Sequence, residues 1–394
     1  MAKLLTLKDI DYAGKKVFLR VDYNVVVNGK VIDEFRVAQS LATISKLLSS
    51  GCSVILASHN GRPEGEPDPK LSLRPVAQVL AQLIKRPVGF VPDCVGPDTA
   101  KESRALKPGE LLLLENLRFH AAEEKNTVAF AKSLASLAEV YVDDAFANAH
   151  RPHASMIGVP QYLPHAAGLL MEKEYLRIIS LTKSPKRPYV AIVGGAKIST
   201  KIEVLQSLTK KVDTLVIGGA MANTFLQAQG YNVQSSMTEP DHVGTAAAII
   251  KLAHKNNVSL ILPTDVVVAE RVEHGASHRQ IGVGKISANE LVLDIGKNTM
   301  KGILPIISSA KTVFWNGTLG VAEIPEFAWA SRDLAHMIAL RKNKADTIVG
   351  GGDTEAFVAK LGMTNRFGFV STGGGVCLEL LAGDKLPAIE VLMS

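Results

Sequence analysis

The sequence has 394 residues and a formal net charge of +6; 47% of its residues are hydrophobic and 21% are charged. These proportions are typical of a soluble globular protein, and the length exceeds what one hydrophobic core ordinarily supports, so two domains are expected. The basic residues are dispersed, without a basic tail or an aromatic-interleaved stripe. This pattern argues against nucleic-acid binding and favours a basic cleft for a small anionic substrate.

Cysteine usage and hydropathy bear on the compartment. Cys52, Cys94 and Cys377 lie far apart and form no CxxC pair, which predicts a reducing compartment without disulfides or structural zinc. The N-terminus lacks the pattern of a signal peptide, and the longest uncharged run, 214–238, is too polar to span a membrane. A cytoplasmic protein without a membrane partner is therefore expected.

The first half alternates apolar, β-rich runs with helical patterns. Continuous apolar strands separated by helices predict a parallel sheet that is covered on both faces. The helical patterns include 35–49 and 73–84. The predicted strands are 16–21, 53–57, 88–91, 110–114 and 140–142.

Polar residues follow four of these strands, in the segments 22–24, 58–63, 115–120 and 143–153. Ligands of parallel α/β sheets bind outside the carboxyl ends of the strands, and guanidinium groups suit phosphate or carboxylate. Any single arginine is more commonly a surface ion-pair partner, but four near strand ends favour a shared anion site. Arg20 lies inside a strand and is expected to be structural. The residues expected to converge are Arg36, Arg62, Arg118, Arg151 and His59.

The second half repeats the alternation, but glycines follow its strands. Lys197 and Lys201 follow a Gly-Gly pair at 194–195, and their spacing of four predicts that they share one helix face. A solvated helix face is the plainer interpretation, whereas the preceding glycines favour phosphate binding. The predicted strands are 189–193, 214–217, 260–262, 312–315 and 367–370.

The segment 346–355 reads as a short strand, three glycines, and an Asp353-Thr354 pair that opens a helix over 355–361. It fits a tight turn in which Asp353 or Thr354 is an N-cap. It fits equally a phosphate site in which Asp353 holds Mg²⁺. The second glycine-rich edge and the arginine-bearing edge favour the nucleotide interpretation.

Several common site motifs are missing from the sequence. There is no P-loop, no protein-kinase signature set, no GxGxxG, no GxSxG and no HExxH. Taken singly, each of the ten histidines is more commonly a surface or core residue than a ligand. Only His59, beside Arg62 in a Gly-Arg-Pro turn, is expected to be functional.

Nine motifs, in order along the whole chain, resemble those of the phosphoglycerate kinase family. Each is weak alone, whereas nine in order are highly specific. They are RVDYN at 20–24, SHNGRP at 58–63, ENLRFH at 115–120, DAF…AHR at 144–151, GGAK at 194–197, DVVVA at 265–269, FWNG at 314–317, GGGDT at 350–354 and STGGG at 371–375.

The resemblance implies two Rossmann-like three-layer α/β domains whose parallel sheets face each other across a hinged cleft. It implies an N-terminal domain for 3-phosphoglycerate or 1,3-bisphosphoglycerate over 1–168, and an interdomain helix and hinge over 169–188. A nucleotide domain would follow over 189–375, and 376–394 would return to the N-terminal domain. The family usually acts as a monomer on ATP or ADP with Mg²⁺.

The resemblance also implies roles for individual residues. Arg36 and Lys197 would flank the transferred phosphoryl group, and the N–H groups of Gly351, Gly352 and 373–375, including Gly374, would line its path. The substrate residues would be Asp22, Tyr23, Asn24, Arg36, His59, Asn60, Gly61, Arg62, Arg118 and Arg151. The nucleotide residues would be Lys197, Lys201, Asn316, Glu323, Gly351, Gly352, Asp353 and Thr354, with Asp353 on the metal.

The sequence departs from the family pattern without losing a charged ligand. The family commonly has Phe at Tyr23, Leu at Asn60, Gly-Thr at 147–148, Pro at Thr318 and Phe at Ala322. These changes affect the shape around His59 and the ribose side of the nucleotide site. Two alternatives stay open, namely another acid kinase acting on acetate or carbamate, and a nucleotide-binding scaffold that has lost catalysis.

Overall fold

A computed structural model describes residues 3–394 and divides them into two compact units. The first unit comprises the chain up to Arg177 together with Lys385–Ser394, and the second comprises Ile178–Asp384. In this described part of the chain, no helix is both long and apolar enough to cross a membrane.

Seventeen strands and fifteen α-helices make up the regular structure of residues 3–394. The strands are β1 Lys16–Arg20, β2 Val26–Val27, β3 Lys30–Val31, β4 Ser53–Ala57, β5 Gly89–Val91, β6 Leu111–Leu114, β7 Val140–Asp143, β8 His165–Ala167, β9 Tyr189–Val193, β10 Thr214–Ile217, β11 Ser259–Ile261, β12 Asp265–Ala269, β13 His278–Gly282, β14 Leu291–Ile295, β15 Thr312–Asn316, β16 Asp346–Gly350 and β17 Phe369–Val370. The helices are α1 Glu34–Gln39, α2 Leu41–Ser49, α3 Arg74–Ile84, α4 Pro97–Ala105, α5 Ala121–Glu124, α6 Val128–Ala135, α7 Leu169–Lys183, α8 Ile202–Leu208, α9 Met221–Ala228, α10 Val243–Lys255, α11 Lys297–Ser309, α12 Trp329–Ala339, α13 Gly352–Lys360, α14 Val376–Ala382 and α15 Pro387–Val391.

The first unit is built on a six-stranded parallel sheet in the order β5-β6-β4-β1-β7-β8. Its central strands are buried along their whole length, as continuous apolar runs require. Arg20 at the end of β1 is in register with Ala57 of β4 and with Asp143 of β7. The segments that follow these three strands therefore leave the sheet side by side.

The second unit has a parallel sheet in the order β11-β10-β9-β15-β16-β17. Numbered within the unit this is 3-2-1-4-5-6, the doubly wound order in which ligands bind where the winding reverses. The reversal falls between β9 and β15, where Val193 is in register with Asn316. Asn316 is in turn in register with Gly350 of β16, so the turns after these three strands are neighbours.

The prediction of two parallel-sheet α/β units is confirmed, and most strand ends shift by only a residue or two. The sequence analysis missed β8 and the antiparallel sheet β13-β12-β14. Residues 265–269, which form one of the nine motifs, are the central strand of that antiparallel sheet. The helical pattern over 35–49 is two helices, because Ser40 ends α1 and turns its hydroxyl to the carbonyl of Val37. The cleft and the hinge remain predictions.

Helix α7 starts where a buried carboxylate meets free backbone N–H groups. Oδ1 of Asp144, which follows β7, accepts from the N–H groups of Leu170 and Met171 at 2.9 and 3.1 Å. The preceding Gly168 has no room for a side chain, since a Cβ there would lie 2.2 Å from the same oxygen. The boundary between the two units falls inside this helix, after Arg177.

The chain returns to the first unit at Lys385, nine residues later than the predicted start of the C-terminal segment at 376. The difference arises because α14 belongs to the second unit, where the carbonyl of Leu381 accepts hydrogen bonds from Ser207 and Lys211. In the first unit, the N–H of Ala388 donates to the carbonyl of Ala149 at 3.0 Å. The terminal residues thus pack directly behind the segment that follows β7.

Candidate active site

Basic side chains gather at the carboxyl ends of the strands of the first unit. His59 follows β4, Arg118 follows β6, and His150, Arg151 and His153 follow β7. The strand register brings these segments together. We refer to these five residues as the basic cluster.

Arg118 is the most deeply buried arginine of the basic cluster, with a side chain only 3% exposed. Its Nη1 donates to the carbonyl of Gly61 at 2.7 Å, and its Nε lies 3.1 Å from a carboxylate oxygen of Glu124 without forming an aligned hydrogen bond. Its Nη2 has no hydrogen-bond partner in the described chain. Burial, followed by the charge of Arg151, lowers the pKa of this guanidinium to about 10.

Three further buried nitrogens beside Arg118 lack hydrogen-bond partners within residues 3–394. They are Nε of Arg151, Nδ2 of Asn148 and Nδ1 of His150. A buried donor without an acceptor is costly, and native proteins seldom leave several together. The nitrogens of Arg118, Arg151 and Asn148 among them can only donate, so they define a site that an anion would complete.

His59 is held neutral in the same cluster. Burial, followed by the charges of Arg20, Arg118 and Arg151, lowers its pKa well below the ordinary value. Nη2 of Arg20 lies 3.3 Å from Nδ1 of His59, and because a guanidinium can only donate, Nδ1 is the acceptor. Nε2 therefore carries the proton and is a donor. Arg20, expected to be structural, is buried and also fixes this tautomer.

Asn24 and Arg36 both come after β1, Asn24 in the loop and Arg36 in helix α1. Nη1 of Arg36 lies 3.1 Å from Oδ2 of Asp22, and its Nε lies 3.3 Å from Oδ2 of Asp33. Oδ1 of Asn24 accepts from the N–H of Gly61 at 2.9 Å. Arg62 is exposed and makes no hydrogen bond or ion pair within the described chain.

The side chains of Tyr23 and Asn60 are both buried, and a substrate contact by either residue remains a prediction. The phenol of Tyr23 is fully buried and lies 2.7 Å from the hydroxyl of Ser40. The amide of Asn60 is also fully buried; it accepts from the N–H of Val26 at 2.9 Å and donates to the carbonyls of Val26 and Leu71. Both side chains stabilise the loops that carry the basic residues.

In the second unit the turns after β9 and β15 touch backbone to backbone. Gly317 has a φ of +88°, and a Cβ on it would lie 2.3 Å from the carbonyl oxygen of Gly194. Nζ of Lys201 donates to that same carbonyl at 2.6 Å and to Oδ1 of Asn316 at 3.0 Å. Burial lowers the pKa of Lys201 to about 8, against the opposing charge of Asp353.

The predicted lysine face is wrong. Helix α8 starts only at Ile202, so residues 197–201 form turns and Lys201 occupies the N-cap position. Lys197 is exposed and makes no hydrogen bond or ion pair within residues 3–394, whereas Lys201 is mostly buried. The Gly-Gly pair holds the chain in an open turn, which overrides the helical spacing of the two lysines.

The turn after β16 presents Asp353 beside Lys201. Gly351, with a φ of +95°, is the N-cap of α13, so neither Asp353 nor Thr354 has that role. Asp353 is exposed in the first turn of α13, without a hydrogen bond or ion pair in the described chain. Thr354 is fully buried, and its Oγ1 accepts from the N–H of Gly317 at 2.6 Å. Thr354 thus supports the glycine turn from behind, and its phosphate contact remains a prediction.

Two more of the expected nucleotide-side residues are Gly374 and Asn316. Gly374 has a φ of +55° with open space where a Cβ would stand, directly before α14. Nδ2 of Asn316 is buried without a partner within residues 3–394, and a Cβ on Gly351 would lie 2.7 Å from it. The amide of Asn316 therefore lies directly against the glycine turn after β16.

A cavity of ≈ 210 Å³ opens beside these turns. Asp353 and Glu323 contribute carboxylates to its wall, while Leu293 and Val321 contribute apolar surface. Glu323 is exposed and makes no hydrogen bond or ion pair in residues 3–394. Charged and apolar surface together suit a ligand that is part polar and part aromatic.

Sequence reasoning did not select Asn148, His150 or Asn223, each of which has a buried atom without a partner. Asn148 and His150 adjoin Arg151 in the chain, and this proximity was the available signal. Asn223 had no such signal, because only the three-dimensional structure places it on the cavity wall.

The fold and these residues define a class: two-unit α/β proteins with basic side chains at the strand ends of one unit and glycine turns at the switch point of the other. The model of the family described as phosphoglycerate kinase matches residues 7–384. The phosphoglycerate kinase of Moorella thermoacetica is 49% identical over 393 residues, which span 100% of this chain and 99% of the relative. That of Koribacter versatilis is 46% identical, with 98% of each chain covered.

Solved structures agree with the sequence comparisons. The phosphoglycerate kinase of Coxiella burnetii superposes with a TM-score of 0.88 at 38% identity, covering 99% of each chain. That of Pyrococcus horikoshii gives a TM-score of 0.87 at 30% identity, covering 99% of this chain and 98% of the other. The chain belongs to the phosphoglycerate kinase family.

Proposed function

We propose that this chain catalyses reversible phosphoryl transfer between 1,3-bisphosphoglycerate and ADP, giving 3-phosphoglycerate and ATP. The observation that carries the proposal is the set of buried, unpartnered nitrogens of Arg118, Arg151 and Asn148, all of which can only donate. A compact polyanion such as phosphoglycerate would satisfy them. Family membership supports the same reaction.

In the first unit, Arg118 and Arg151 would bind the anionic groups of the glycerate, with exposed Arg62 at the edge of the site. Neutral His59 would donate from Nε2 to a substrate oxygen. Arg36, held by Asp22 and Asp33, would lie against the carboxyl group that accepts the phosphoryl group.

In the second unit, the ≈ 210 Å³ cavity would take the nucleoside, with Glu323 accepting hydrogen bonds from the ribose hydroxyls. Lys201 and Lys197 would meet the phosphates, together with the N–H groups of Gly351, Gly352 and Gly374. These groups supply positive charge and backbone N–H donors that are already oriented before the reaction, so no solvent has to reorganise around the phosphates.

Mg²⁺ fits this site, because Asp353 is an exposed carboxylate without a protein partner, at the mouth of the same cavity. Carboxylate oxygen is the ligand type that Mg²⁺ prefers. The ion would offset negative charge on the nucleotide phosphates.

The chemistry needs charge stabilisation and positioning more than proton transfer. A carboxylate acceptor is already ionised at neutral pH, so no general base is required. Catalysis then depends on holding donor and acceptor in line and on cations around the transferred group. Direct transfer also requires the two binding sites to come together during turnover, so we include a hinge motion near 168–188. A monomer in the cytoplasm completes the proposal, on the basis of the family resemblance.

A coupled spectrophotometric assay tests the proposed reaction. ATP consumption should depend on 3-phosphoglycerate, and it should fall sharply in an Arg118→Met variant purified in parallel. A protein that turns over acetate but not 3-phosphoglycerate would instead be a different acid kinase. A folded protein that binds ATP without turnover on either acid would be a non-catalytic scaffold.

A further inference from the structure

Asp93, Cys94 and His120 form a cluster of potential metal ligands in the first unit, apart from the residues assigned to the substrate. Asp93 and Cys94 follow β5, and His120 follows β6 by way of a short 3₁₀ helix. Strands β5 and β6 are parallel neighbours, so the segments that follow them leave the sheet side by side. One carboxylate oxygen, one sulfur and one imidazole nitrogen of the cluster all lie within 4.8 Å of one another.

The cluster is accessible from solvent. The side chains of Asp93 and His120 are 52% and 32% exposed, and both line a cavity of ≈ 320 Å³. Cys94 is buried, yet its sulfur lies within 4.8 Å of a ligand atom on each of these two exposed side chains. An ion that binds to Asp93 and His120 therefore has the sulfur close by and does not need to enter the core.

The geometry is near that of a tetrahedral site. Oδ1 of Asp93 lies 2.7 Å from Nε2 of His120 and accepts the N–H of Cys94 at 2.6 Å, which holds the three residues together before any ion binds. In tetrahedral zinc sites the bond lengths place the ligand atoms about 3.3–3.6 Å apart. Shifts of about 1 Å in the exposed carboxylate and imidazole would give these spacings.

The surroundings of the sulfur favour a cation. Burial raises the pKa of the Cys94 thiol well above its ordinary value, and the charges of Asp93, Glu123 and Glu115 raise it further. Such a thiol stays protonated, which argues against a nucleophilic cysteine beside the imidazole. The same carboxylates give this position a negative potential that a divalent cation would offset.

We propose that Asp93, Cys94 and His120 bind Zn²⁺, with a water molecule from the cavity as the fourth ligand. Sulfur and imidazole nitrogen favour Zn²⁺, whereas Mg²⁺ prefers oxygen ligands alone. The sulfur binds as a thiolate, so the thiol proton is released to solvent. The ion would join the segment after β5 to the segment that follows Arg118 and so stabilise the first unit. No CxxC pair marks this site, which is why zinc was not expected from the sequence.

Cobalt substitution tests the proposal without reference to turnover. Co²⁺ is added to the full-length protein, purified without a polyhistidine tag and treated with a chelator that is then removed. We expect thiolate-to-cobalt charge-transfer absorption in the near ultraviolet and the strong visible bands of four-coordinate cobalt, saturating at one ion per chain. Zn²⁺ should abolish these bands, and an excess of Mg²⁺ should not.

Variants of the three ligands identify the site. Asp93→Asn and His120→Asn alter side chains that are partly exposed, and each should weaken Co²⁺ binding roughly tenfold or more. The reason is that loss of a group that merely supports a metal ligand already costs roughly 10- to 100-fold in affinity. Cys94→Ser should remove the charge-transfer absorption. Cys52→Ser is the matched control, because it alters another buried free thiol of the same unit and should change neither absorption nor affinity.

Three results would overturn the site: no charge-transfer absorption from the unaltered protein, its persistence in Cys94→Ser, or unchanged Co²⁺ affinity in folded Asp93→Asn and His120→Asn variants. Thermal unfolding shows whether each variant is folded. It also gives a second measure of binding, since Zn²⁺ should raise the unfolding temperature of the unaltered protein and of Cys52→Ser but not that of His120→Asn.

Discussion

Nζ of Lys201 lies 3.0 Å from Oδ1 of Asn316, at the point where the winding of the second sheet reverses. The ammonium group crosses from the turn after β9 to the end of β15 and also binds the carbonyl of Gly194. Its burial is only partly offset by Asp353, so its pKa falls to about 8. The cation that we assign to the nucleotide phosphates is therefore one whose charge depends on pH near neutrality.

Replacing Lys201 should reveal this titration. The neutral amine attracts phosphate less, so ADP affinity should fall as pH rises through about 8. In Lys201→Arg the guanidinium stays charged, and the affinity should persist to higher pH. Titration calorimetry on either side of pH 8 measures both. As a control, Lys197→Met should weaken ADP binding at every pH without changing the shape of its pH dependence. If Lys201→Arg shows the same pH dependence as the parent, the titrating group is not Lys201.

Asp144 predicts a pH-dependent stability, from a pKa shift whose sign is opposite to that of Lys201. Burial raises its pKa to about 7 from 3.8. Between these values the folded protein holds the proton more tightly than the unfolded chain, so stability falls as pH rises from about 4 to 7. Asp144→Asn keeps an acceptor for the N–H groups of Leu170 and Met171 and removes the charge. It should raise the free energy of unfolding above pH 7 by at most about 4 kcal/mol.

Denaturant unfolding at several pH values measures the Asp144 effect as a difference between parent and variant, which removes the contributions of other groups. The gain of Asp144→Asn should shrink as pH falls and vanish near pH 4. Asp144→Ala, which also loses the acceptor, should be less stable than Asp144→Asn by roughly 1 kcal/mol. A gain that does not change with pH would contradict the burial of a titrating carboxyl group.

Arg151 should stabilise the bound state at the expense of the free protein. Its charge lowers the pKa of Arg118, His59 and His153, and its Nε is buried without a partner in the described chain. Arg151→Met should raise the unfolding free energy of the ligand-free protein by roughly 1 kcal/mol, as removal of active-site strain commonly does. It should also abolish the thermal stabilisation that 3-phosphoglycerate gives. Differential scanning fluorimetry with and without 3-phosphoglycerate measures both the stability of the free protein and the stabilisation by the substrate. Arg104→Met, which changes an exposed arginine of α4 outside the basic cluster, is the control.

Asn60 distinguishes a structural from a substrate-binding role. Its amide satisfies the N–H of Val26 in a fully buried position. Asn60→Leu should therefore cost about 1–3 kcal/mol of stability, while KM for 3-phosphoglycerate changes little in the folded fraction. Chemical denaturation and steady-state kinetics give the two quantities. A large rise in KM with unchanged stability would restore the substrate contact that the sequence predicted.

These cases show how far the sequence leads. Strands such as β4 and β9 were predictable because their apolar runs are continuous and fully buried. Strand β13 was not, because His278, Arg279 and Gln280 expose polar side chains at a sheet edge. The arginines near strand ends were found because parallel strands bring their carboxyl ends together.

The roles of Tyr23, Asn60 and Thr354 could not be read in the same way. Each is a polar residue within a site motif, yet each is fully buried and hydrogen-bonded to a neighbouring segment of the protein. Motif position identifies the neighbourhood of a site, whereas the direction of a side chain depends on packing. The lysine spacing failed for a related reason, since the glycines before Lys197 decide the local backbone.

The central claim is that the carboxylate of 3-phosphoglycerate receives the γ-phosphoryl group of ATP. Phosphorus NMR of a mixture of protein, Mg²⁺, ATP and 3-phosphoglycerate follows that transfer directly. We expect an acyl-phosphate resonance to grow with the ADP signals, to disappear on adding hydroxylamine, and to be nearly lost in Arg36→Ala although ATP still binds. Formation of ADP with inorganic phosphate alone, or an acyl phosphate formed equally well by Arg36→Ala, would contradict the account.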